Sequence, residues 1–425
     1  MSKNVLYFAE NAISPMQGGG IVVYASLKGL PPENLLGVYQ YRNITPAPEY
    51  AERLHALPSL LRSQETTSEI SLPSGRLGII GEGGSTIEVG RAIAGPLLDR
   101  YAGGFERQVA ELVAKNNFHP EVIFTAPLSL RMLRLAVAAA KRYRVPIVML
   151  NMDDWMSEES ARMGRLGGVW RRLIASAMSD AKPHLAYAYS NSEKLASVLT
   201  QRYGIPHETM NNASHDLFAD RPEWTPPPRR SGTVITFAGA MNWHLQGQTL
   251  VRVAEAVAEL RTEREVELRI FAPWEFAPLA NMIGVPGAVT YCGFRIGREL
   301  ADAYLDSDFL VLTTTFRNDR IQLFRHSLAT KLSDYLCAGR PVLSVGHPDW
   351  AVHDYVEQHN CGIAGRLSPR ADVKRQLIRA LDLSAEERAK IGQSNRKLWE
   401  RAHDVRVMAR KAREILGLDA PSSRA

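Results

Sequence analysis

Short runs of consecutive apolar residues alternate along this chain with longer segments whose apolar positions recur every three or four residues. That is the pattern of buried parallel strands joined by amphipathic helices. One set of strand candidates comprises Val5 to Phe8, Leu35 to Tyr41, Leu77 to Ile80, Val122 to Thr125, Ile147 to Asn151 and Leu185 to Ser190. A second comprises Val234 to Ala238, Val266 to Phe271, Val289 to Cys292, Phe309 to Leu312 and Val342 to Val345. Between them lies DRPEWTPPPRRSG, residues 220–232, whose prolines cannot continue a helix or a central strand. The expected architecture is α/β, with two doubly wound Rossmann-like domains. Residues 1–219 form the first, 220–232 the linker and 233–390 the second, followed by a basic helical stretch within 391–425. No repeat of solenoid length interrupts this order. Ligands of such sheets sit beyond the carboxyl ends of the strands, so a cleft between the domains is the expected site.

The richest local signal is SLATKLSDYLCAGRPVLSV, from Ser327 to Val345. Ser327 suits a helix N-cap, Leu328, Leu332, Tyr335 and Leu336 make one apolar face, and Gly339 suits the left-handed residue that ends a helix. Lys331 and Asp334 then stand near the start of a short helix, where the lysine can hold a phosphate and the carboxylate can accept bonds from sugar hydroxyls. The same pattern suits an ordinary surface helix before a core strand. Gly18, Gly19 and Gly20 follow the first strand; as a loop they would let backbone amides approach a diphosphate or an acceptor, although no P-loop lysine follows. Asp153 and Asp154, after the strand ending MLNM, can orient or deprotonate an acceptor hydroxyl, or can cap the next helix.

At 425 residues, 45% of them hydrophobic and 8% aromatic, the chain is large enough for two cores. Its start lacks a basic segment followed by a long apolar stretch, so neither a signal peptide nor a membrane span is expected. Cys292, Cys337 and Cys361 match no metal spacing and read as buried thiols of a reducing, cytoplasmic compartment. The net charge of +6 is interleaved with acidic residues, which argues against a nucleic-acid partner. Two local excesses remain, at Leu128 to Arg144 and Arg162 to Lys182. In the second, Leu166, Val169, Trp170, Leu173, Ile174 and Ala177 recur at helical spacing beside Arg165, Arg171 and Arg172. Such a helix can rest on an anionic membrane or can face the core with a solvated basic edge. No carboxylate and histidine cluster has metal spacing, so no metal cofactor is expected.

Four segments arrive in a telling order: FAGAMNWH from Phe237, TYCGF from Thr290, ELADAYLDSDFLVL from Glu299 and SLATKLSDYLCAGRPVL from Ser327. The second half resembles the donor domain of retaining GT-B glycosyltransferases, which build bacterial polysaccharides and lipid-linked sugars from nucleotide sugars. Gly18 to Gly20, SNSEKLASVLTQRYGIP from Ser190 and NNASHDLF from Asn211 extend the resemblance to nearly the whole chain, leaving out Asn43 to Thr86. It implies a GT-B fold, in which the final helix, here 391–425, crosses back to the first domain, and transfer of a sugar from a nucleoside diphosphate to a hydroxyl of a growing, lipid-linked glycan, with retention of configuration. The resemblance places Gly239 and Asn242, with Trp243 and His244, at the cleft. It places the base at Gly293, Phe294 and Arg295, and the ribose at Asp334. Many relatives carry two glutamates here; the first position is His326 in this chain. Relatives also place arginine and lysine after the glycine equivalent to Gly239, where this chain reads AMNWHLQG. Lys331 must then carry more of the phosphate charge, with Arg317, Arg320 and Arg325 in reserve. Where relatives often have a histidine, this chain has Asp153 and Asp154. The implied donor set is Gly18, Gly19, Gly20, Gly239, Asn242, Gly293, Phe294, Arg295, Ser327, Lys331 and Asp334, and the implied catalytic set is Asp153, Asp154, His326 and Lys331. A nucleotide-sugar epimerase of this fold, or a noncatalytic glycan-binding or partner-binding relative, remains an alternative.

Overall fold

A computed structural model describes residues 3–15, 18–41, 44–57, 104–219, 224–228, 230–367 and 372–416. The strand candidate Leu77 to Ile80 lies outside them. Two compact units emerge: among the described residues, 3–211 and 408–416 form the first, and 212–407 the second.

The first unit holds a parallel sheet of β1 (Val5–Ala9), β2 (Leu35–Tyr39), β3 (Leu54–Ala56), β4 (Val122–Ala126), β5 (Ile147–Asn151), β6 (Leu185–Ser190) and β7 (Glu208–Thr209). Their order is β3-β2-β1-β4-β5-β6-β7. Its helices are α1 (Gly18–Leu27), α2 (104–115), α3 (Leu130–Tyr143), α4 (Trp155–Arg162), α5 (Gly167–Ala181) and α6 (Glu193–Tyr203). Strands β1, β2, β4 and β5 are buried along their whole length, which is why they read as unbroken apolar runs. Local signals set the helix ends. Ser192 accepts the Leu195 amide and Gly204 closes α6 at φ +61°.

The second unit holds β8 (Thr233–Ala238), β9 (Val266–Phe271), β10 (Val289–Tyr291), β11 (Phe309–Thr313), β12 (Val342–Gly346) and β13 (Gly362–Arg366) in the parallel order β10-β9-β8-β11-β12-β13. Helices α7 (Gln248–Leu260), α8 (Ala277–Met282) and α12 (Val373–Leu381) pack in one hydrophobic cluster. Helices α9 (Gly297–Leu305), α10 (Lys331–Cys337), α11 (Ala351–Gln358) and α13 (Ala385–Ala402) pack in another. In both sheets the chain works outward from the first strand and then returns to its other side. The crevices where the order reverses, β1/β4 and β8/β11, are the places where such sheets bind ligands.

The proline-rich stretch is fastened to the second unit rather than spanning between units. Trp224 Nε1 donates to the Gly339 carbonyl at 2.9 Å, and Arg230 pairs with Asp306 and Asp308 at 3.1 and 3.0 Å. The chain passes between units earlier, after Asn211, and again after Val407. The basic C-terminal stretch breaks at His403 and Asp404 into α13 and α14 (Val405–Leu416). Gly339 has the expected positive φ, +59°. Next to it the fully buried Arg340 donates to the carbonyls of Ser307, Thr225 and Leu305 at 2.9, 2.9 and 2.7 Å, tying the α10–β12 corner to its neighbours. Cys337 and Cys361 are buried, as expected, with burial pushing both thiols up; Cys292 is only half-buried.

Candidate functional site

A cavity of ≈ 230 Å³ opens at the carboxyl ends of β8 and β11, lined among others by Gly239, Gln246, Thr313, Ser327, Thr330 and Lys331. It therefore sits at the switch point of the second sheet and gathers three residues singled out in the sequence: Gly239, Ser327 and Lys331. Gly239 has φ +150°, and a methyl group there would meet nothing within 4 Å, so its bare face adjoins open space. Beyond it the chain makes a π-helical turn over Trp243–Gly247, a geometry that often marks working sites. Asn242 organises this turn. Its side chain accepts the His244 amide at 3.1 Å, and its carbonyl accepts the amides of Leu245, Gln246 and Gly247 at 3.1, 2.9 and 2.9 Å. Its amide oxygen is thus already engaged. Trp243 is 37% exposed and is not a core residue. The Gln246 Oε1 atom is buried without a hydrogen-bond partner, beside the cavity it lines.

Lys331 is the first residue of α10, and its Nζ lies 2.9 Å from Asp334 Oδ2. Burial alone would lower its pKa; the charge and hydrogen bond of Asp334 more than offset that and hold it above the ordinary value. Phosphate-binding and ribose-binding roles were expected of these two residues, and they touch each other. Ser327 is not the N-cap. Its Oγ donates back to the Leu323 carbonyl at 3.4 Å, and the helix starts four residues later at Lys331, with no side-chain cap. The physical reason is that the buried Asn212 side chain donates to the Leu328 carbonyl at 2.9 Å, so residues 327–329 stay outside the helix. The helix that remains has seven residues, too short to supply much of a dipole. His326 is partly buried in the turn before it.

Positive charge comes to the loop after β8 from a different loop. Burial first, and then Arg320 and Arg317, push His244 below its usual pKa, which places both guanidiniums within electrostatic reach of it. Both are also held by Asp319: Arg317 through two bonds of 3.0 and 2.8 Å, Arg320 at 3.6 Å. Arg325 is 3.9 Å from Asp349, and its Nε is buried without a partner. At the end of β10, Gly293 takes φ +80° and accepts the Ala272 amide at 3.2 Å, Phe294 is 39% exposed, and Arg295 donates to the Phe294 carbonyl at 2.9 Å.

In the first unit, the three glycines open α1 rather than forming a loop, and neither Gly19 nor Gly20 has a positive φ. Close approach is what requires them. A Cβ on Gly19 would lie 2.6 Å from Asn11 Nδ2 and 3.0 Å from Met152 Cε, and one on Gly20 would lie 2.6 Å from the Ala12 carbonyl oxygen. Gly19 is thus packed against the end of β5, beside the half-buried Asp153. Asp154 takes the capping role: fully buried, it accepts the Ser157 amide at 3.2 Å and both Arg202 nitrogens at 2.8 and 3.0 Å. Its side chain has no exposed surface.

Sequence reasoning missed Glu10. It directly follows β1 at the β1/β4 crevice, is 2% exposed, and accepts the Leu128 amide at 2.6 Å and the Ser129 hydroxyl. Burial pushes its pKa up to about 7 against those hydrogen bonds. Glu159, bonded to Trp170 Nε1 at 3.0 Å, is likewise pushed by burial to about 7. The available signal was an acidic residue ending the apolar run NVLYFAE. Among the described residues no group of three or more His, Cys, Asp or Glu side chains is placed to hold a metal ion, and no helix is long and apolar enough to cross a membrane.

No protein-family model and no curated protein sequence matches the chain. Solved structures do. Anabaena HepE, solved in complex with UDP and glucose, superposes with a TM-score of 0.61 at 13% identity over 98% of this chain and 99% of that one. A glycosyltransferase from Rickettsia africae gives 0.62 at 11% identity over 99% and 100%, and the sucrose-phosphate synthase of Thermosynechococcus elongatus gives 0.63 at 11% over 97% and 98%. With two parallel sheets, ordered 3-2-1-4-5-6-7 and 3-2-1-4-5-6, a cavity at the second sheet's reversal and end-to-end likeness to these structures, the chain has the fold of the GT-B glycosyltransferases.

Proposed function

We propose that this protein is a glycosyltransferase that moves a sugar from a nucleoside diphosphate sugar to a hydroxyl of a growing, lipid-linked glycan, with retention of configuration and without a metal cofactor. The observation that carries the reading is the cavity at the β8/β11 reversal, which Gly239, its bare face on open space, and Lys331 line together. A diphosphate seated against Gly239 meets Lys331 as its nearest cation, in a site shielded enough for that charge to count when the leaving group forms. Asp334 keeps Lys331 charged and aimed, and its second oxygen is available to a ribose hydroxyl. On this reading the bond from the anomeric carbon to the leaving phosphate oxygen breaks first. The acceptor's hydroxyl oxygen then bonds to the anomeric carbon on the face the phosphate has just left and gives its proton to that phosphate oxygen, so no enzyme nucleophile is required. Gln246, with its unpartnered oxygen beside the cavity, is suited to accept a hydroxyl of the donor sugar. The exposed arginines of α5 would keep the enzyme at the anionic cytoplasmic face of a membrane, where lipid-linked acceptors lie.

The test is the thermal midpoint of the purified protein against UDP, GDP, ADP, CMP and their sugars, with Lys331→Ala alongside. One nucleotide at ~100 times its dissociation constant should stabilise the wild type by roughly 2.7 kcal/mol and leave Lys331→Ala unmoved. Transfer assays then use the sugars of that nucleotide. A folded wild type that responds to no nucleotide would sink the donor reading.

A further inference from the structure

Each of the three neighbouring strands on one side of the second sheet is followed by an exposed aromatic residue: Trp243 after β8, Trp274 after β9 and Phe294 after β10. Trp274, at 66%, is the most exposed large apolar side chain among the described residues. Nothing about its position is loose. It opens a short 3-10 turn, Trp274–Phe276, immediately after Pro273, whose ring fixes the backbone leading into it. Two hydrogen bonds fasten that ledge to the neighbouring loop: Ala272 donates its amide to the Gly293 carbonyl at 3.2 Å, and the Tyr291 hydroxyl donates to the Ala272 carbonyl at 3.0 Å. Gly293 stands between the two segments with φ +80°. A methyl on it would lie 3.4 Å from Arg295 Nη1 and 3.8 Å from Trp274 Cη2. The bare face of Gly293 is therefore bounded by an indole ring and a guanidinium, an arrangement suited to a flat, polar-edged ring.

We propose that Trp274 is the stacking platform for the nucleobase of the donor, with Gly293 and Arg295 closing its edge. The inference rests on the nucleotide-sugar reading and adds to it a residue that neither the sequence motifs nor the cavity identified. The placement fits. From β8, where the cavity opens, to β10 is two strand spacings, about 10 Å, the direction and scale of a ribose linking phosphate to base. Stacking accounts for how the site holds the base while leaving its identity to backbone groups, since every nucleobase has an aromatic face.

The experiment is calorimetric titration of UDP into the wild type, Trp274→Ala and Trp274→Phe, each checked for an unchanged melting midpoint, with tryptophan emission followed in parallel. The expected result is an approximately tenfold weaker dissociation constant in Trp274→Ala, most of the affinity restored in Trp274→Phe, and UDP quenching of emission that is reduced in Trp274→Phe. Equal UDP affinity in the wild type and Trp274→Ala overturns the platform and leaves the donor reading intact. A Phe variant as weak as the Ala variant also overturns it, because the ring is then not what binds. No binding of any nucleotide to the folded wild type overturns the platform together with the donor reading.

Discussion

Lys331 and Asp334 stand three residues apart on α10, and their 2.9 Å contact changes what each offers a ligand. An isolated lysine would bring an uncompensated charge; this one brings a charge that is already oriented, and a phosphate has to share it. Asp154 shows the opposite outcome. Its partner Arg202 lies 48 residues away, so nothing local distinguished a cap from a base. Gly339 was legible, because a helix stop before Arg340 and Pro341 calls for a left-handed residue. Its second constraint was not: a Cβ there would sit 2.5 Å from Trp224 Cδ1 and 3.0 Å from the Gly392 carbonyl oxygen. Gly339→Ala should therefore cost about 2 kcal/mol, from the positive φ together with the clash. Urea denaturation checks this; a midpoint equal to wild type would show that the corner yields freely.

At the scale of elements, the long buried strands were readable because both of their faces are covered and the apolar run is continuous. β3, β7 and β13 were not. The first two have three and two residues, and β13, Gly362–Arg366, has two glycines and is only partly buried. The end of β1 carries a pH prediction. Folded Glu10 keeps its proton up to about pH 7, while the unfolded chain releases it near 4.5. Between those values the folded state binds more protons, so its stability is greatest at the acid end of the window and falls as pH rises. Glu159 acts in the same direction. Each group contributes a slope of at most about 1.4 kcal/mol per pH unit, and Glu10→Gln removes one of the two. Denaturation midpoints measured from pH 5 to 7 should fall less steeply in Glu10→Gln; parallel curves would mean that Glu10 is ionised in the folded protein.

For the whole molecule, the net charge of +6 matters where it is concentrated. Helix α5 turns Ile174, Ala177 and Met178 inward, while Arg165 before it and Arg171 and Arg172 on it are exposed beside Val169, which is 54% exposed. The core-facing reading of this segment holds: one face is core, and the basic edge, with Val169 on it, is exposed. Sedimentation with vesicles containing phosphatidylglycerol should pull the protein down, and vesicles of phosphatidylcholine alone should not. Arg171→Glu with Arg172→Glu should weaken that binding at least about tenfold, at ~1 kcal/mol per charge near the surface. Equal binding to both vesicle types would remove the membrane from the proposal.

The sequence by itself determined the two sets of strands, the helix stop at Gly339 and the motif order that resembles GT-B enzymes. Apolar periodicity and turn chemistry act over a few residues, and a local pattern records them. Tertiary structure alone decided which polar groups meet. The sheet order β10-β9-β8-β11 brings Gly239 and Lys331 to one cavity and Trp274 beside Gly293. The β1/β4 crossing buries Glu10 under Leu128 and Ser129, more than a hundred residues away. Pairings across such separations depend on where the chain returns, and no local spacing encodes that.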